Sequence, residues 1–388
     1  MEKTFTSKIN GVYDWLKKQQ ITFVDQDKKA YKKNNSHSTW DTYCNVMKTY
    51  EKWLQKEHGL KDITRAKPKH AEEYMQNLID KYKRGEGSAY TLSKFPHALH
   101  SLQQSARESK VYRGLKLGNK ADLMAMKNGE GIQRKSSESK CLKANASDFD
   151  KVQNEIANSR SPQKEIIMNI HQIQRGVGCR IHEVVKMKGE DITFNSNGSA
   201  TVYIKGKGGL ERWVHVDDKK TIELLKEQTK DKKDGAYVFP LKNKEGNDKN
   251  LSSSMKLAKD VIRSAAERSG VDRDGKTYST HSARKVYAQE RMNAYASMSQ
   301  EQLQKELTKR IRNYPIDKHG KNRLKEKVDS ELQEKRNKIT REDKDEQKRL
   351  RKERDWTHKE LCEFMVSIDT GHFRTNIMRY YCDYPKDK

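Results

Sequence analysis

Hydrophobic residues recur at helical spacing in the first third of the chain. The first stretch begins at Ser38, where Asp41 completes a predicted capping box, and it ends at Gly59. Its apolar positions lie three, four and seven residues apart, as on one face of a helix. They are Tyr43, Val46, Met47, Tyr50, Trp53 and Leu54. This pattern predicts an amphipathic helix.

Two more helices are expected, one after Pro68 and one after the Gly-rich turn at 84–88. Together the three stretches predict a small, basic, all-helical domain at 38–112. The preceding residues, 1–37, are polar and basic, and we interpret them as an N-terminal arm or a disordered tail. Residues 113–141 are rich in Gly, Lys and Ser with weak periodicity, which is typical of a linker.

The pattern changes in the second part of the chain, from 142 to 388. Residues 201–204 and 212–216 alternate between apolar and polar, and a glycine-containing turn joins them, so we expect a β-hairpin. Helical patterns occur around this hairpin at 166–173, 218–228, 251–268 and 281–296. The predicted fold class is therefore mainly α with a small antiparallel β-sheet.

Residues 299–355 differ from their surroundings because they contain 19 Lys and Arg and 13 Asp and Glu but few large apolar groups. This composition favours a long solvated helix or a helical pair. The segment is either simply a solvated face or an inserted arm that contacts DNA or a neighbouring subunit. Residues 356–366 then restore an apolar helical pattern.

Composition and charge narrow the class of protein. The chain has 388 residues, 81 Lys and Arg against 55 Asp and Glu, and a net charge of +26, so a polyanion such as nucleic acid is the expected partner. No apolar run is long enough for a membrane-spanning helix, and 1–33 contain no secretory core. Five cysteines without a C-x-x-C pair favour a reducing, cytoplasmic location.

The second part of the chain contains residue types suited to phosphodiester chemistry without a metal, which needs cations, a nucleophile and a proton donor. Arg180 follows a Gly-x-Gly turn, and Glu183 lies three residues on, where it can orient the guanidinium. Lys207 lies at the tip of the hairpin, with Lys205 as its alternative. A surface arginine and a plain hairpin turn are the ordinary interpretations of these features.

Two further pairs complete this set. His281 and Arg284 share one face of a predicted helix start, and His372 precedes Tyr381 by nine residues. Individually, an H-x-x-R pair occurs by chance in basic proteins, and a terminal tyrosine pair is more often packing than nucleophile. Their order and spacing are what distinguish them.

Together these segments resemble the tyrosine recombinase (phage integrase) family, from about residue 38 to the C-terminus. The domain at 38–112 is similar to the SAM-like core-binding domain of that family. The four similar boxes are Gly-Val-Gly-Cys-Arg-Ile-His-Glu-Val (176–184), the hairpin (203–212), Thr-His-Ser-Ala-Arg-Lys (280–285) and the Gly-His to Tyr box (370–381).

The resemblance implies roles for individual residues. Tyr381 would attack the scissile phosphate and form a 3′-phosphotyrosyl link, with His281 as general base. Lys207 would be the general acid for the leaving 5′-oxygen. These three residues would perform the bond-making and bond-breaking steps.

Four more residues would support this reaction. Arg180 and Arg284 would bind the non-bridging phosphate oxygens, and His372 would hydrogen-bond the phosphate. Glu183 would support Arg180. Because the covalent link conserves bond energy, neither a metal, ATP nor another cofactor is expected.

The family also implies partners and an assembly. We expect a C-shaped clamp on double-stranded DNA with inverted-repeat core sites, and a homotetramer on two such sites. A DNA-bending or directionality factor could assist, and the source would be a mobile element, with the protein at the nucleoid when it is bound to DNA. The alternatives are a type IB topoisomerase, a telomere resolvase and a DNA-binding protein whose boxes are relics.

The sequence departs from the family pattern at several places. Tyr380 is a rival nucleophile, although the nine-residue spacing favours Tyr381, and Tyr384 is a more distant one. Val177 replaces the usual threonine of the first box. The span from Arg284 to His372 is far longer than usual, so we interpret 299–355 as an insertion into the catalytic domain that supplies subunit or DNA contacts.

Overall fold

The computed structural model describes residues 8–11, 37–108, 114–133, 135, 138–206, 211–317 and 320–385. Within it the chain divides into two compact units, Met1–Glu138 and Ser139–Lys388. Most of the expected N-terminal arm lies outside the described residues. No helix in the described ranges is long and apolar enough to span a bilayer.

The first unit is helical, as the apolar periodicity predicts. Pro68 occupies the first turn of its helix, where a missing N–H costs nothing, and the side chain of Asn119 accepts a hydrogen bond from Ala121 N at the start of another. Tyr50 and Phe95 meet in the core with ring centroids 5.0 Å apart. Its helices are α1 (residues 8–11), α2 (His37–His58), α3 (Pro68–Lys83), α4 (Ala89–Glu108) and α5 (Lys120–Gly129), with a 3-10 helix at Ile63–Arg65.

Within the segment 113–141, expected as a linker, the described residues up to Glu138 belong to the first unit and include α5, whereas residues 139–141 belong to the second unit. Leu117, Leu123 and Ile132 are buried in the same core as α2 to α4. The side chain of Gln103 accepts a hydrogen bond from the backbone N–H of Leu117 at 2.6 Å. The three apolar residues are spaced too widely to produce a helical periodicity, so the sequence pattern did not reveal their burial.

The second unit contains a three-stranded antiparallel sheet in the order β1-β2-β3. The predicted hairpin is β2 and β3, with Val202 opposite Val214, and the inward positions of both strands are buried. Strand β1 was not predicted. The strands are β1 (Ile192–Phe194), β2 (Ala200–Lys205) and β3 (Glu211–Val216). The expected fold class, mainly α with a small antiparallel sheet, is confirmed.

Helices surround the sheet and form two hydrophobic clusters. One cluster includes Phe149, Val202 and Ile262, and the other includes Leu303 and Phe364. Helix α11 contributes residues to both clusters, its first half to one and its second half to the other, so it connects them. The helices before the insertion are α6 (Ala146–Ala157), α7 (Lys164–Gly176), α8 (Ile181–Val184), α9 (Lys219–Thr229), α10 (Leu251–Ser269) and α11 (Thr280–Ala296).

In the described residues of the charged segment, 299–317 and 320–355, there are three helices, where a long helix or a helical pair was expected. These are α12 (Gln300–Asn313), α13 (Arg323–Asn337) and α14 (Lys344–Glu353). Four of its aliphatic residues are buried in the second cluster, namely Leu303, Leu307, Leu324 and Val328. The segment therefore packs on the unit through one apolar side. Helix α15 (His358–Asp369) and a 3-10 helix at Thr375–Tyr380 follow it.

Candidate active site

The turn after α7 determines the position of Arg180. Gly178 has φ +68, and a Cβ there would lie 2.4 Å from the ring of Tyr287, so only glycine fits this backbone. Arg180 then caps α8, and the carboxylate of Glu183 accepts hydrogen bonds from its backbone N–H at 2.8 Å and its Nη1 at 2.9 Å. The predicted Arg–Glu pair is therefore formed within one helical turn.

Glu183 also binds Arg212, a residue that the sequence interpretation missed. Nη2 of Arg212 donates to Oε2 of Glu183 at 2.8 Å, and both side chains are almost fully buried. Burial alone would raise the pKa of Glu183, but Arg212, with Arg284 and Arg180, outweighs it and holds that pKa well below its usual value. A signal did exist, because Arg212 shares the inward face of β3 with Val214 and Val216.

Arg284 lies one and a half turns into α11, whose N-cap is Ser279. Its side chain is fully buried and donates hydrogen bonds to the carbonyl oxygens of Gly178 and Thr370. Burial, followed by repulsion from Arg180, lowers the pKa of Arg284 to about 10. The guanidinium is thus still charged at neutral pH.

His372 contacts both arginines from the last segment. Its Nε2 lies 3.2 Å from Nη2 of Arg284 and 3.4 Å from Nη2 of Arg180. A guanidinium can only donate, so Nε2 accepts, and the imidazole is neutral with its proton on Nδ1. Burial, followed by repulsion from Arg284, lowers the pKa of His372 to about 2, in agreement with this assignment.

The hydroxyl of Tyr381 lies 3.1 Å from Nε2 of His281. Burial, with repulsion from Arg284, lowers the pKa of His281 to about 3, so this imidazole is neutral, and in the tautomer protonated on Nδ1 its Nε2 accepts the hydrogen bond from the phenol. The Tyr381 ring lies edge-on to His372, with centroids 4.9 Å apart, and 5.6 Å from the Arg284 guanidinium carbon.

The rival residues have other surroundings. The hydroxyl of Tyr380 accepts a hydrogen bond from Arg379 at 3.3 Å, and that of Tyr384 lies 2.8 Å from Nδ1 of His358. Lys205 is exposed at the end of β2, and Lys207 lies outside the described residues. The structure thus brings together six predicted residues: Arg180, Glu183, His281, Arg284, His372 and Tyr381.

The cluster is electrostatically suited to an anion. Three guanidinium groups, those of Arg180, Arg212 and Arg284, face one carboxylate, that of Glu183, which leaves two net positive charges while both histidines are neutral. A phosphate diester carries one negative charge and would be attracted to such a site. Among the described residues, no group of three or more His, Cys, Asp or Glu is arranged to hold a metal ion.

Two family models match the chain. The phage integrase family matches residues 147–308, and the N-terminal SAM-like domain of phage integrases matches residues 30–110. The two matches, one to the catalytic domain and one to the DNA-binding domain that precedes it, define the class of the protein as a DNA recombinase. The chain belongs to the tyrosine recombinase (phage integrase) family of DNA-recombining enzymes.

Several solved structures are similar at low identity. A lambda integrase dimer bound to a COC′ core site has a TM-score of 0.47 and 15% identity, covering 74% of this chain and 88% of that chain. XerH recombinase bound to difH substrate has a TM-score of 0.45 and 16% identity, and the match covers 74% of this chain and 86% of that chain. The Tn1549 transposon integrase in complex with circular intermediate DNA has a TM-score of 0.42 and 14% identity, and the match covers 76% of this chain and 90% of that chain. No curated protein matches the chain significantly.

Proposed function

We propose that the protein is a site-specific recombinase, an integrase or transposase of a mobile element, which cleaves and rejoins duplex DNA through a 3′-phosphotyrosyl intermediate. The observation that supports this most directly is the 3.1 Å contact between the hydroxyl of Tyr381 and a neutral His281, beside the arginine cluster. The side chains proposed as nucleophile, base and phosphate-binding cations are thus close together, which supports the proposal.

In the cleavage step, Oη of Tyr381 attacks the scissile phosphorus and passes its proton to Nε2 of His281. The bond from phosphorus to the 5′-oxygen breaks, and Lys207 protonates that oxygen. One phosphate ester replaces another, so the reaction is nearly balanced in energy and needs no ATP. Attack by a 5′-hydroxyl on the phosphotyrosine reverses the step and rejoins a strand.

Arg180 and Arg284 are the proposed ligands of the non-bridging oxygens. Among the described residues, Nε of Arg284 is a buried donor with no hydrogen-bond partner, so it can donate to a phosphate oxygen. Preorganised donors of this kind commonly stabilise a transition state by ~3–4 kcal/mol each. Glu183 and Arg212 keep the two guanidiniums in place, and His372 adds a neutral donor at Nδ1 when it meets phosphate.

The proposed substrate is double-stranded DNA with inverted-repeat core sites, bound by a homotetramer on two sites. The charge of +26 supports a polyanionic partner. A DNA-bending or directionality factor is part of the same proposal, as is a location in the cytoplasm with the DNA. The insertion at 299–355 and residues 1–37 are the places where additional DNA or subunit contacts are predicted.

The test is cleavage of a nicked suicide substrate made from the ends of the protein's own element, in EDTA. We expect wild type and Tyr380→Phe to form a covalent protein–DNA adduct and Tyr381→Phe to form none. An adduct lost only in Tyr380→Phe would move the nucleophile by one position. If wild type binds this DNA without forming an adduct, the catalytic proposal is wrong. Relaxation of supercoiled DNA that lacks the site would instead indicate a topoisomerase.

A further inference from the structure

The described residues of the insertion at 299–355 contact the stretch of their own chain that precedes the proposed nucleophile, and also β3. The first contact is a buried charge cluster around Asp369, the last residue of α15. Its carboxylate accepts hydrogen bonds from Nη1 of Arg310 at 2.7 Å and from the hydroxyl of Tyr295 at 2.7 Å. Arg310 belongs to α12 of the insertion, whereas Tyr295 belongs to α11.

Asp369 is close to the catalytic cluster along the backbone. The next residue, Thr370, accepts a hydrogen bond from Arg284 through its carbonyl oxygen, and His372 follows two residues later. Burial alone would raise the pKa of Asp369, but Arg310, together with Arg291, outweighs it and lowers that pKa. Because the carboxylate is charged and buried, removal of Arg310 would leave part of its charge unpaired.

The second contact lies at the start of the 3-10 helix that precedes Tyr381. Thr375 begins the 3-10 helix that ends at Tyr380, and Oε1 of Glu331 accepts hydrogen bonds from its backbone N–H at 2.8 Å and its hydroxyl at 2.6 Å. Nζ of Lys335 lies 3.1 Å from the same hydroxyl. Glu331 and Lys335 lie one turn apart on α13, so one face of this helix caps the segment with the tyrosine.

The third contact reaches the strand that follows the predicted general acid. The hydroxyl of Tyr314 donates to the carbonyl oxygen of Glu211 at 2.7 Å, and its ring lies edge-on to Trp213 at 5.7 Å. Glu211 and Trp213 belong to β3. The insertion thus makes three contacts with two stretches of the chain that are distant in sequence: the stretch from Asp369 to Thr375, which precedes Tyr381, and β3, which contains Arg212.

We propose that the insertion is an intramolecular support, in which Arg310 and Glu331 are positioning residues for His372 and Tyr381 of the same protomer. This inference rests on the proposed function. One half-buried carboxylate oxygen of Glu331 accepts hydrogen bonds from both donors of Thr375, and loss of this acceptor would free the start of the 3-10 helix. The reaction geometry tolerates little displacement, since about 1 Å can cost ~100-fold in rate.

The main test compares Glu331→Ala with Glu334→Ala. Both remove one carboxylate from α13, but Glu334 is exposed and pairs with Lys338. At saturating DNA we expect Glu331→Ala to lower the rate of adduct formation about 10- to 100-fold, with an unchanged Kd for DNA, and Glu334→Ala to match wild type. Glu331→Gln should restore most of the rate, because its amide oxygen can still accept both hydrogen bonds. Equal effects at the two positions, or no rescue by glutamine, would overturn the proposal.

A mixing experiment tests whether the support acts within one protomer. Glu331→Ala retains Tyr381, and Tyr381→Phe retains Glu331, so mixed assemblies contain both groups only on different protomers. We expect no adduct formation above that of Glu331→Ala alone. Recovery toward the wild-type rate would show that Glu331 acts on a neighbouring subunit and would contradict the proposal.

Amide hydrogen exchange provides a readout that does not depend on catalysis. In the free protein, Glu331→Ala and the nearly isosteric Thr375→Val should raise exchange at 375–381, and Glu334→Ala should not. If exchange rises while wild type forms no adduct, the support exists and the proposed function fails. Unchanged exchange in both variants would overturn the inference itself. Thr375→Val keeps the test valid if Glu331→Ala does not fold.

Discussion

The hydroxyl of Tyr381 and Nε2 of His281 lie 3.1 Å apart, although the two residues are separated by 100 positions in the chain. Burial, with repulsion from Arg284, keeps the pKa of His281 near 3, so the imidazole is a neutral acceptor at physiological pH. This relationship places a neutral imidazole, the proposed general base, within hydrogen-bond distance of the proposed nucleophile.

Replacement of that base should slow the chemical step selectively. We expect His281→Gln to lower single-turnover adduct formation by about 10²- to 10⁴-fold, the usual contribution of general-base catalysis. The Kd for DNA should remain unchanged, because a neutral imidazole adds no positive charge that would attract the phosphate. Rates and binding can be measured on the same suicide substrate. A weakened Kd with an unaltered rate at saturation would assign His281 to binding instead.

Arg212 should matter for stability as well as for activity. Arg212→Leu removes the strongest partner of a buried carboxylate, Glu183, and loss of one member of such a pair typically costs about 3–5 kcal/mol. Arg312→Leu is the matched control, since Arg312 is exposed on α12. Urea denaturation of both variants measures the difference. If the two variants have equal stability, the Glu183–Arg212 pair is not an essential part of the core.

Gly178 should not tolerate a side chain. Gly178→Ala would impose about 1–2 kcal/mol for the left-handed backbone, and about 1–3 kcal/mol for overpacking against Tyr287. It should also reduce cleavage, because the Gly178 carbonyl oxygen accepts a hydrogen bond from Arg284. Gly189→Ala is the control, since a Cβ there meets nothing within 4 Å. Thermal denaturation and adduct formation in both variants check this, and a stable, active Gly178→Ala would refute it.

Sequence patterns predicted the fold where one face of an element is apolar over several turns. The hairpin and the helices around it follow this rule, and so do α2 to α4 of the first unit. Helix α5 was not predicted because it is short and contributes only Leu123 and Met126 to the core, one turn apart, which is too few positions to establish a helical periodicity. Strand β1 has only three residues, too few for an alternation to be recognised.

In the candidate site, too, contacts between residues close in sequence could be predicted, whereas contacts between distant residues could not. Arg180 and Glu183 are local neighbours, so their contact could be predicted from helical spacing. Arg212 binds Glu183 from 29 positions away, which only the fold determines. The contact between Glu331 and Thr375 is equally invisible in a charged segment, because polar contacts have no periodicity.

Lys207 stays a prediction that chemistry can test independently of structure. A substrate with a 5′-bridging sulfur at the scissile phosphate releases a thiolate, and a thiol with a pKa of about 8.5 needs little protonation to leave. We therefore expect Lys207→Ala to lose cleavage of the ordinary substrate but to cleave the sulfur substrate nearly as fast as wild type. Lys205→Ala should cleave both substrates normally. If instead Lys205→Ala cleaves only the sulfur substrate, and Lys207→Ala cleaves both substrates normally, then Lys205 is the general acid and Lys207 is not.

His171 should make the second unit sensitive to acid. It is fully buried between Gln153 and Tyr278, and burial, with repulsion from Arg175, lowers its pKa to about 3. In the unfolded chain this histidine has an ordinary pKa of ~6.5. At pH values between about 3 and ~6.5 it therefore binds a proton in the unfolded state but not in the folded state. The free energy of unfolding therefore falls as the pH drops below ~6.5, by about 2 kcal/mol from this residue at pH 5.

The replacement His171→Gln isolates this effect, because glutamine does not titrate and can still hydrogen-bond Tyr278. The variant should be less stable than wild type at pH 7, since the ring also stacks on Phe149 with centroids 4.2 Å apart. Between pH 7 and pH 5 it should lose less stability than wild type, by about 2 kcal/mol. Urea denaturation of both proteins at the two pH values measures this difference. His281 and His372 are present in both proteins, so their contribution to the pH dependence of stability cancels in the comparison. Parallel losses in the two proteins would mean that His171 is already protonated in the folded state at pH 5.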